Sequence, residues 1–144
     1  MKKLLLILLL LFITIIFSIY GLLINNEKQN EDLKNYNKEY EQYLNKTING
    51  TELATLINKV INTNEKNEIQ KDDNNYYVEN QENSIKIEIK LILTEKTYPM
   101  EEIYDKDTDE FVKYFSLENF KCTNIEYHQK TGKISKMLFE QIGQ

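Results

Sequence analysis

A continuous apolar run near the N-terminus is the feature that most constrains this chain. The run extends from Leu4 to Ile24 and directly follows Lys2 and Lys3. Because an α-helix rises about 1.5 Å per residue, a helical run of this length spans roughly 30 Å, the thickness of the hydrocarbon core of a bilayer. The sequence therefore predicts a transmembrane helix, assigned to residues 1–24.

The charges that flank the run predict its orientation. Two lysines precede it and the next basic residue is Lys28, so we expect the N-terminus in the cytoplasm and the C-terminal domain outside the cell membrane. The run is longer than the apolar core of a typical signal peptide and lacks a small-residue cleavage pattern, which favours an uncleaved, single-pass signal anchor. Cleavage within residues 18–26 is the alternative interpretation.

The part of the chain after the run is acidic. It carries sixteen of the eighteen lysines against twenty-three carboxylates, a net charge near −7. Such a charge argues against nucleic acid as a partner. About 120 residues remain, enough for one small domain with one hydrophobic core. The abundance of Asn, Ile, Lys and Tyr is typical of a low-GC bacterium.

Residues 25–48 are predicted to continue the helix as an amphipathic stalk. Tyr36, Tyr40 and Tyr43 recur at spacings of four and three, which places them on one stripe of a helix. Such a stripe either packs the helix onto a sheet or forms an interface with another copy or a protein partner. We therefore treat these tyrosines as a candidate interface, while a frayed polar stalk is the alternative.

Residues 49–144 are predicted to form a small α+β domain. Apolar residues at helical spacing predict a helix over 51–62 with Thr51 as its N-cap. Alternation with a period of two predicts a strand over 85–91, for which 76–78 is the expected hairpin partner. The segment 97–103 is expected to be extended, with Pro99 at a sheet edge or strand start.

Two further elements complete the predicted domain. A short helix should begin at Asp107 or Thr108 and end at Phe115, burying Phe111, Val112 and Phe115. A hairpin of 120–128 and 133–141 should follow, with a bulge near 123–124 where the alternation slips. Helices followed by antiparallel strands predict a small antiparallel sheet in an α+β fold.

The residues that could carry chemistry do not form a catalytic or metal-binding pattern. Cys122 and His128 are the sole cysteine and histidine, and six residues along a strand separate them by about 20 Å. We expect a buried thiol and an exposed imidazole. Adjacent Glu101 and Glu102 should point to opposite faces of an extended segment and form acidic surface. The segment 105–110 lacks the glycine and the final carboxylate of a calcium loop. No enzyme activity, cofactor or metal is therefore predicted.

Two resemblances bear on function. The basic start, the apolar helix continuing into an amphipathic one and the small sheet resemble pilin-like and pseudopilin-like proteins of bacterial secretion and pilus systems. The stretch from Asn45 to Leu53, together with the stretch from Cys122 to His128, resembles an uncharacterised family of short membrane-anchored proteins of low-GC bacteria.

The first resemblance implies a structural component of a cell-surface or secretion assembly, which would self-associate. The second implies no activity. The alternative hypothesis is a single-pass anchored binding module that recognises an envelope partner or ligand.

Overall fold

The computed structural model describes residues 2–105 and 108–143 and has an α+β fold, as predicted. Within these residues the chain forms four α-helices and a five-stranded sheet. The chain divides into two compact units, of which the first ends at Tyr36 and the second begins at Asn37.

The first helix, α1, runs from Lys2 to Glu41 and contains the whole apolar run. Every residue from 2 to 32 is exposed. By length and composition, α1 is the one described helix that could cross a membrane. Its exposed leucine, isoleucine and phenylalanine side chains match a helix surrounded by lipid.

The last turns of α1 belong to the second unit and are held there by Asn37. The Asn37 side-chain amide donates to the carbonyl oxygen of Gly132 at 2.8 Å, and its oxygen accepts from the backbone N–H of Ile134 at 3.1 Å. One asparagine thereby satisfies two backbone groups at the turn before a strand. The contact fixes the point at which the chain enters the second unit.

The sheet has the strand order β1-β4-β5-β2-β3. Its strands are β1 (Thr47–Asn49), β2 (Lys86–Lys90), β3 (Thr97–Pro99), β4 (Asn119–Tyr127) and β5 (Ile134–Ile142). β2 and β5 are parallel and the other neighbours are antiparallel, so the sheet is mixed rather than wholly antiparallel. The alternating pattern of 85–91 identifies a strand but not its neighbours. The chain passes through β3, α3, α4 and β4 between β2 and β5, and this long connection allows the two strands to be parallel.

The second helix, α2 (Gly50–Lys66), is longer than the predicted 51–62 and begins differently. Asn49, rather than Thr51, is the N-cap: its side chain accepts from the Glu52 N–H at 2.9 Å, and the Glu52 carboxylate accepts from the Asn49 N–H at 3.1 Å. This reciprocal capping box satisfies two donors at the helix start.

The apolar face of α2 packs on one face of the sheet and forms the core of the second unit. Buried and less buried residues alternate along β2, the first half of β4 and the middle of β5, as the period of two predicts. Among the described residues, the fully buried apolar side chains are Leu53, Ile57, Val60, Ile85, Ile87, Ile89, Met100, Phe120, Cys122, Ile134, Met137 and Phe139.

One predicted strand segment is wrong and another is too long. Tyr77 forms an isolated bridge with Lys71 instead of pairing with β2, so 76–78 belongs to a loop that folds on itself. The extended segment 97–103 ends at Pro99, where the helix α3 (Met100–Asp105) begins. Pro99 does lie in an edge strand, as expected.

The remaining elements follow the predictions closely. The short helix α4 spans Thr108–Phe115; Phe111 is buried, whereas Val112 and Phe115 are half-buried. The proposed cap at Asp107 lies outside the described residues. The β4–β5 hairpin is present, and its register shifts between Cys122 and Asn124, which confirms the predicted bulge.

Candidate functional site

An aromatic groove lies in the second unit, where α3 and α4 meet the edge of the sheet formed by β2 and β3. The groove has a volume of about 260 Å³ and is open to solvent. Aromatic and aliphatic side chains form most of its lining: Tyr98, Phe111, Tyr114, Phe115, Ile89, Leu91 and Ile103. We call this set, together with Glu102 and Glu110, the aromatic groove.

Local structure explains why four aromatic rings converge there. Tyr98 lies opposite Ile89 in the β2–β3 register, so its side chain is on the core face of the sheet. Phe111, Tyr114 and Phe115 fall at spacings of three and four on α4, which puts them on one side of that helix. The Phe111 and Phe115 rings stack with centroids 4.9 Å apart. The groove is therefore built on regular elements.

The two carboxylates of the groove come from different helices. Glu102 is half-buried on α3 and accepts a hydrogen bond from the Tyr76 hydroxyl at 3.2 Å. Partial burial and this carboxylate raise the pKa of Tyr76. Glu110 is exposed on α4. Lys113 is the lysine of α4, and its Nζ lies 5.7 Å from the centroid of the Tyr114 ring.

Glu101 is buried, which corrects its assignment to acidic surface. The side chain is 4% exposed because residue 101 lies on a helix rather than in an extended segment. Its carboxylate accepts from the backbone N–H of Tyr77 at 3.2 Å and so ties the loop before β2 to α3. Burial raises the pKa of the Glu101 carboxyl, and the hydrogen bonds it accepts partly oppose that rise.

We predict that Glu101→Gln stabilises the protein near neutral pH. Because the folded-state pKa is raised, the stability contribution of Glu101 is complete below about pH 4.5 and declines as the pH rises through the folded-state pKa. Glutamine can accept the same hydrogen bond without this decline. Urea unfolding between pH 4 and pH 7 should therefore show a flatter stability profile for the variant, with Glu95→Gln as the exposed control. Parallel profiles for wild type and variant would contradict the prediction.

His128 is also buried, contrary to the expectation of an exposed imidazole. Its Nε2 lies 2.7 Å from the carbonyl oxygen of Ser84, to which it donates. The His128 backbone N–H donates to the Lys133 carbonyl oxygen at 2.7 Å, and the His128 carbonyl oxygen accepts from the Gly132 N–H at 2.8 Å. These two bonds close the β4–β5 turn beside the ring. A polar cavity of about 510 Å³ adjoins the ring. The ring joins this turn to the start of β2, a structural role.

Cys122 is buried, as predicted. Its Sγ lies 3.7 Å from the carbonyl oxygen of Asn124, and burial raises the pKa of the thiol to about 11. The thiol and the His128 ring thus contact different groups, and the structure does not bring them together as a nucleophile and base.

We predict that Cys122 resists maleimide labelling in the folded protein. The thiolate is the reacting species, and a rise in pKa of two units lowers its fraction about 100-fold at neutral pH, before any steric protection is counted. Labelling at pH 7.5 should proceed only in denaturant, as measured by mass spectrometry. Rapid labelling of the native chain would show that the thiol is accessible.

The three stripe tyrosines have different environments. Tyr40 is 1% exposed and packs inside the second unit, with its hydroxyl 3.5 Å from Thr63 Oγ1. Tyr43 is half-buried and meets the Phe139 ring edge-on at 6.4 Å. Tyr36 is half-buried at the end of the first unit. Tyr40 therefore packs within the chain, and an interface role stays a prediction for Tyr36 and Tyr43.

No metal centre is assigned. Among residues 2–105 and 108–143, no group of three or more His, Cys, Asp or Glu side chains is placed to hold a metal ion. The segment 105–110 that was compared with a calcium loop includes two positions outside the described residues.

Comparison with protein-family models, curated proteins and solved structures finds no match to this chain. Its function is therefore argued from its own residues. No sequence pattern predicts the groove, because its lining comes from four elements. The spacing of Phe111 and Phe115 predicts only a buried helix face.

Proposed function

We propose that this protein is a non-enzymatic binding module held on the outer side of the cell membrane by a single transmembrane helix. The observation that carries the proposal is the solvent-open aromatic groove in the unit that begins at Asn37. Concave apolar sites with a few convergent polar groups are the usual form of small-ligand sites.

The membrane part of the proposal is supported by α1. This helix is exposed and apolar over 4–24, and the basic residues before it favour a cytoplasmic N-terminus. The unit that contains the groove then lies outside the cytoplasm. Its net acidic surface suits a partner that is not nucleic acid.

The experiment that tests the anchoring is mass spectrometry of the N-terminus in membrane and medium fractions of cells that make the protein. A chain that retains α1 in the membrane fraction supports the proposal. A chain that begins near Asn25 in the medium would replace it with a secreted domain.

A structural role as a pilin-like or pseudopilin-like component is the second candidate. The specific observation in its favour is that α1 is one continuous helix from Lys2 to Glu41, which links the apolar segment directly to the second unit. This role requires self-association along α1, and Tyr36 is the stripe residue outside the second unit.

Self-association separates the two candidates. In the structural role, the full chain in detergent forms assemblies that Tyr36→Ser weakens without changing the unfolding midpoint. Tyr40→Ser is the contrasting variant, because it removes a buried ring and should lower stability instead. A monomer at all concentrations would argue for the binding module.

A further inference from the structure

The aromatic groove is lined by both aromatic rings and carboxylates. Aromatic rings that only packed the hydrophobic core would not need carboxylates beside them. Tyr98, Tyr114 and Phe115 keep part of their surface open, and Tyr114 is 64% exposed. Glu102 and Glu110 lie on the same lining as these rings.

We propose that the aromatic groove binds a small organic cation, an ammonium group carried on a compact apolar body. This inference rests on the proposed binding function and names the ligand class of that same site. The apolar body would contact Ile89, Leu91 and Ile103, and the ammonium would lie among the rings and the two carboxylates.

Electrostatics favours a cation over a neutral or anionic ligand. The negative face of an aromatic ring attracts an ammonium within about 6 Å of its centroid, and this attraction grows when water is excluded. A neutral ligand would gain nothing from the negative charge of Glu102 and Glu110 on the lining. An anion would be repelled by Glu102 and Glu110. On the same helices, Glu101, Asp105 and Asp109 add negative charge, and Lys113 over the Tyr114 ring is the opposing positive charge.

Size and the neighbouring strand favour a small molecule over a peptide. A volume of about 260 Å³ lies just below the usual range for ligand sites, which starts at about 300 Å³. The strand beside the groove, β3, has only three residues. The Leu91 N–H donates to the Lys96 carbonyl oxygen, so these two residues are a hydrogen-bonded pair at the end of the β2–β3 ladder. Hydrogen-bonded and non-hydrogen-bonded pairs alternate along an antiparallel ladder, so Glu88 and Pro99 are a non-hydrogen-bonded pair. The Pro99 nitrogen therefore points away from β2. That nitrogen carries no hydrogen, so the outer edge of β3 offers an added peptide strand one donor, the Thr97 N–H, instead of two.

The test compares two probes of equal shape that differ in charge. Choline is the cation, and its carbon analogue, with a tert-butyl group in place of trimethylammonium, is the neutral control. Saturation transfer from the full chain to the probe methyl groups is measured by NMR, with the chain in phosphatidylglycerol nanodiscs and empty nanodiscs subtracted. We expect choline to bind about tenfold more tightly than its neutral analogue.

Matched variants locate the binding. Glu102→Gln combined with Glu110→Gln should remove the preference for choline, whereas Glu27→Gln combined with Glu31→Gln makes the same change in net charge on exposed α1 positions and should leave it intact. Tyr114→Leu, at an exposed position with little structural cost, should weaken choline binding severalfold. Circular dichroism checks that each variant is folded.

The outcomes distinguish this inference from the proposed function. If both probes bind equally and Tyr114→Leu weakens both, the groove binds ligands but the cation preference is wrong. If neither probe binds, both the ligand class and the groove as a binding site are wrong. If choline binding survives the Glu102 and Glu110 changes, the cation lies elsewhere and the inference fails.

Discussion

Replacing Gly50 with alanine should lower the free energy of unfolding by about 3 kcal/mol, the upper part of the usual range for overpacking. A Cβ at position 50 would lie 2.0 Å from the carbonyl oxygen of Phe115 and 2.6 Å from its carbonyl carbon. These are backbone atoms, so no side-chain rotation can relieve the clash. The Gly50 N–H also donates to the Glu118 carbonyl oxygen at 3.0 Å, and any shift of the end of α4 strains that bond.

Urea unfolding of the full chain, followed by circular dichroism, measures this loss. Gly143→Ala is the matched control, because a Cβ there meets no atom within 4 Å and should change stability little. Equal stabilities for the two variants would mean that α4 can move away from the start of α2 without cost.

Replacing Asn64 with leucine should cost a similar amount, about 3 kcal/mol, for a different reason. Asn64 is fully buried on α2; its amide donates to the Ile85 carbonyl oxygen at 2.7 Å, and its oxygen accepts from the Ile85 N–H at 2.9 Å. Leucine fills the space but leaves both backbone groups of Ile85 buried without partners, at about 1–3 kcal/mol each.

Thermal and urea unfolding test this second prediction. Asn62→Leu, at an exposed position on the same helix, is the control and should have a small effect. Asn64→Asp keeps the acceptor but loses the donor, and it buries a charge, so it should be destabilising too. A neutral Asn64→Leu variant would show that water or a backbone shift replaces both bonds.

The elements with strong periodicity could be predicted from the sequence. The helical spacing of 53–61 indicated α2, the period of two indicated β2, and the slip in alternation located the bulge in β4. In each case the pattern depends only on which side of one element faces the core, so it is visible without knowledge of the other elements.

The errors arose where long-range contacts decide the structure. Asn37 and Asn64 were part of a general asparagine excess, yet each satisfies two backbone groups distant in the chain. An extended segment predicts a surface position for Glu101, and the neighbouring hairpin loop predicts one for His128, but each is buried beside a backbone partner. Such partners come from the fold and leave no local pattern.

The aromatic groove could not be predicted for the same reason. Its rings come from β3 and α4, and its carboxylates from α3 and α4. The spacing of Phe111 and Phe115 indicates a buried helix face but not that Tyr98 and Tyr114 extend this face to solvent. Sequence therefore predicts the fold class and the long apolar N-terminal helix, whereas the candidate site requires the tertiary structure.

Cysteine labelling of intact cells tests most directly the central claim that the binding unit is held outside the membrane by α1. The native Cys122 is buried and gives a silent background, so single cysteines can be introduced as Leu93→Cys, at a side chain 92% exposed, and by inserting a cysteine between Met1 and Lys2, which keeps both lysines that predict the orientation. With a membrane-impermeant maleimide, we predict that the L93C chain is labelled in the membrane fraction of intact cells and that the chain with the N-terminal insertion is labelled only after lysis. Protection of the L93C chain until lysis would place the unit in the cytoplasm and contradict the account.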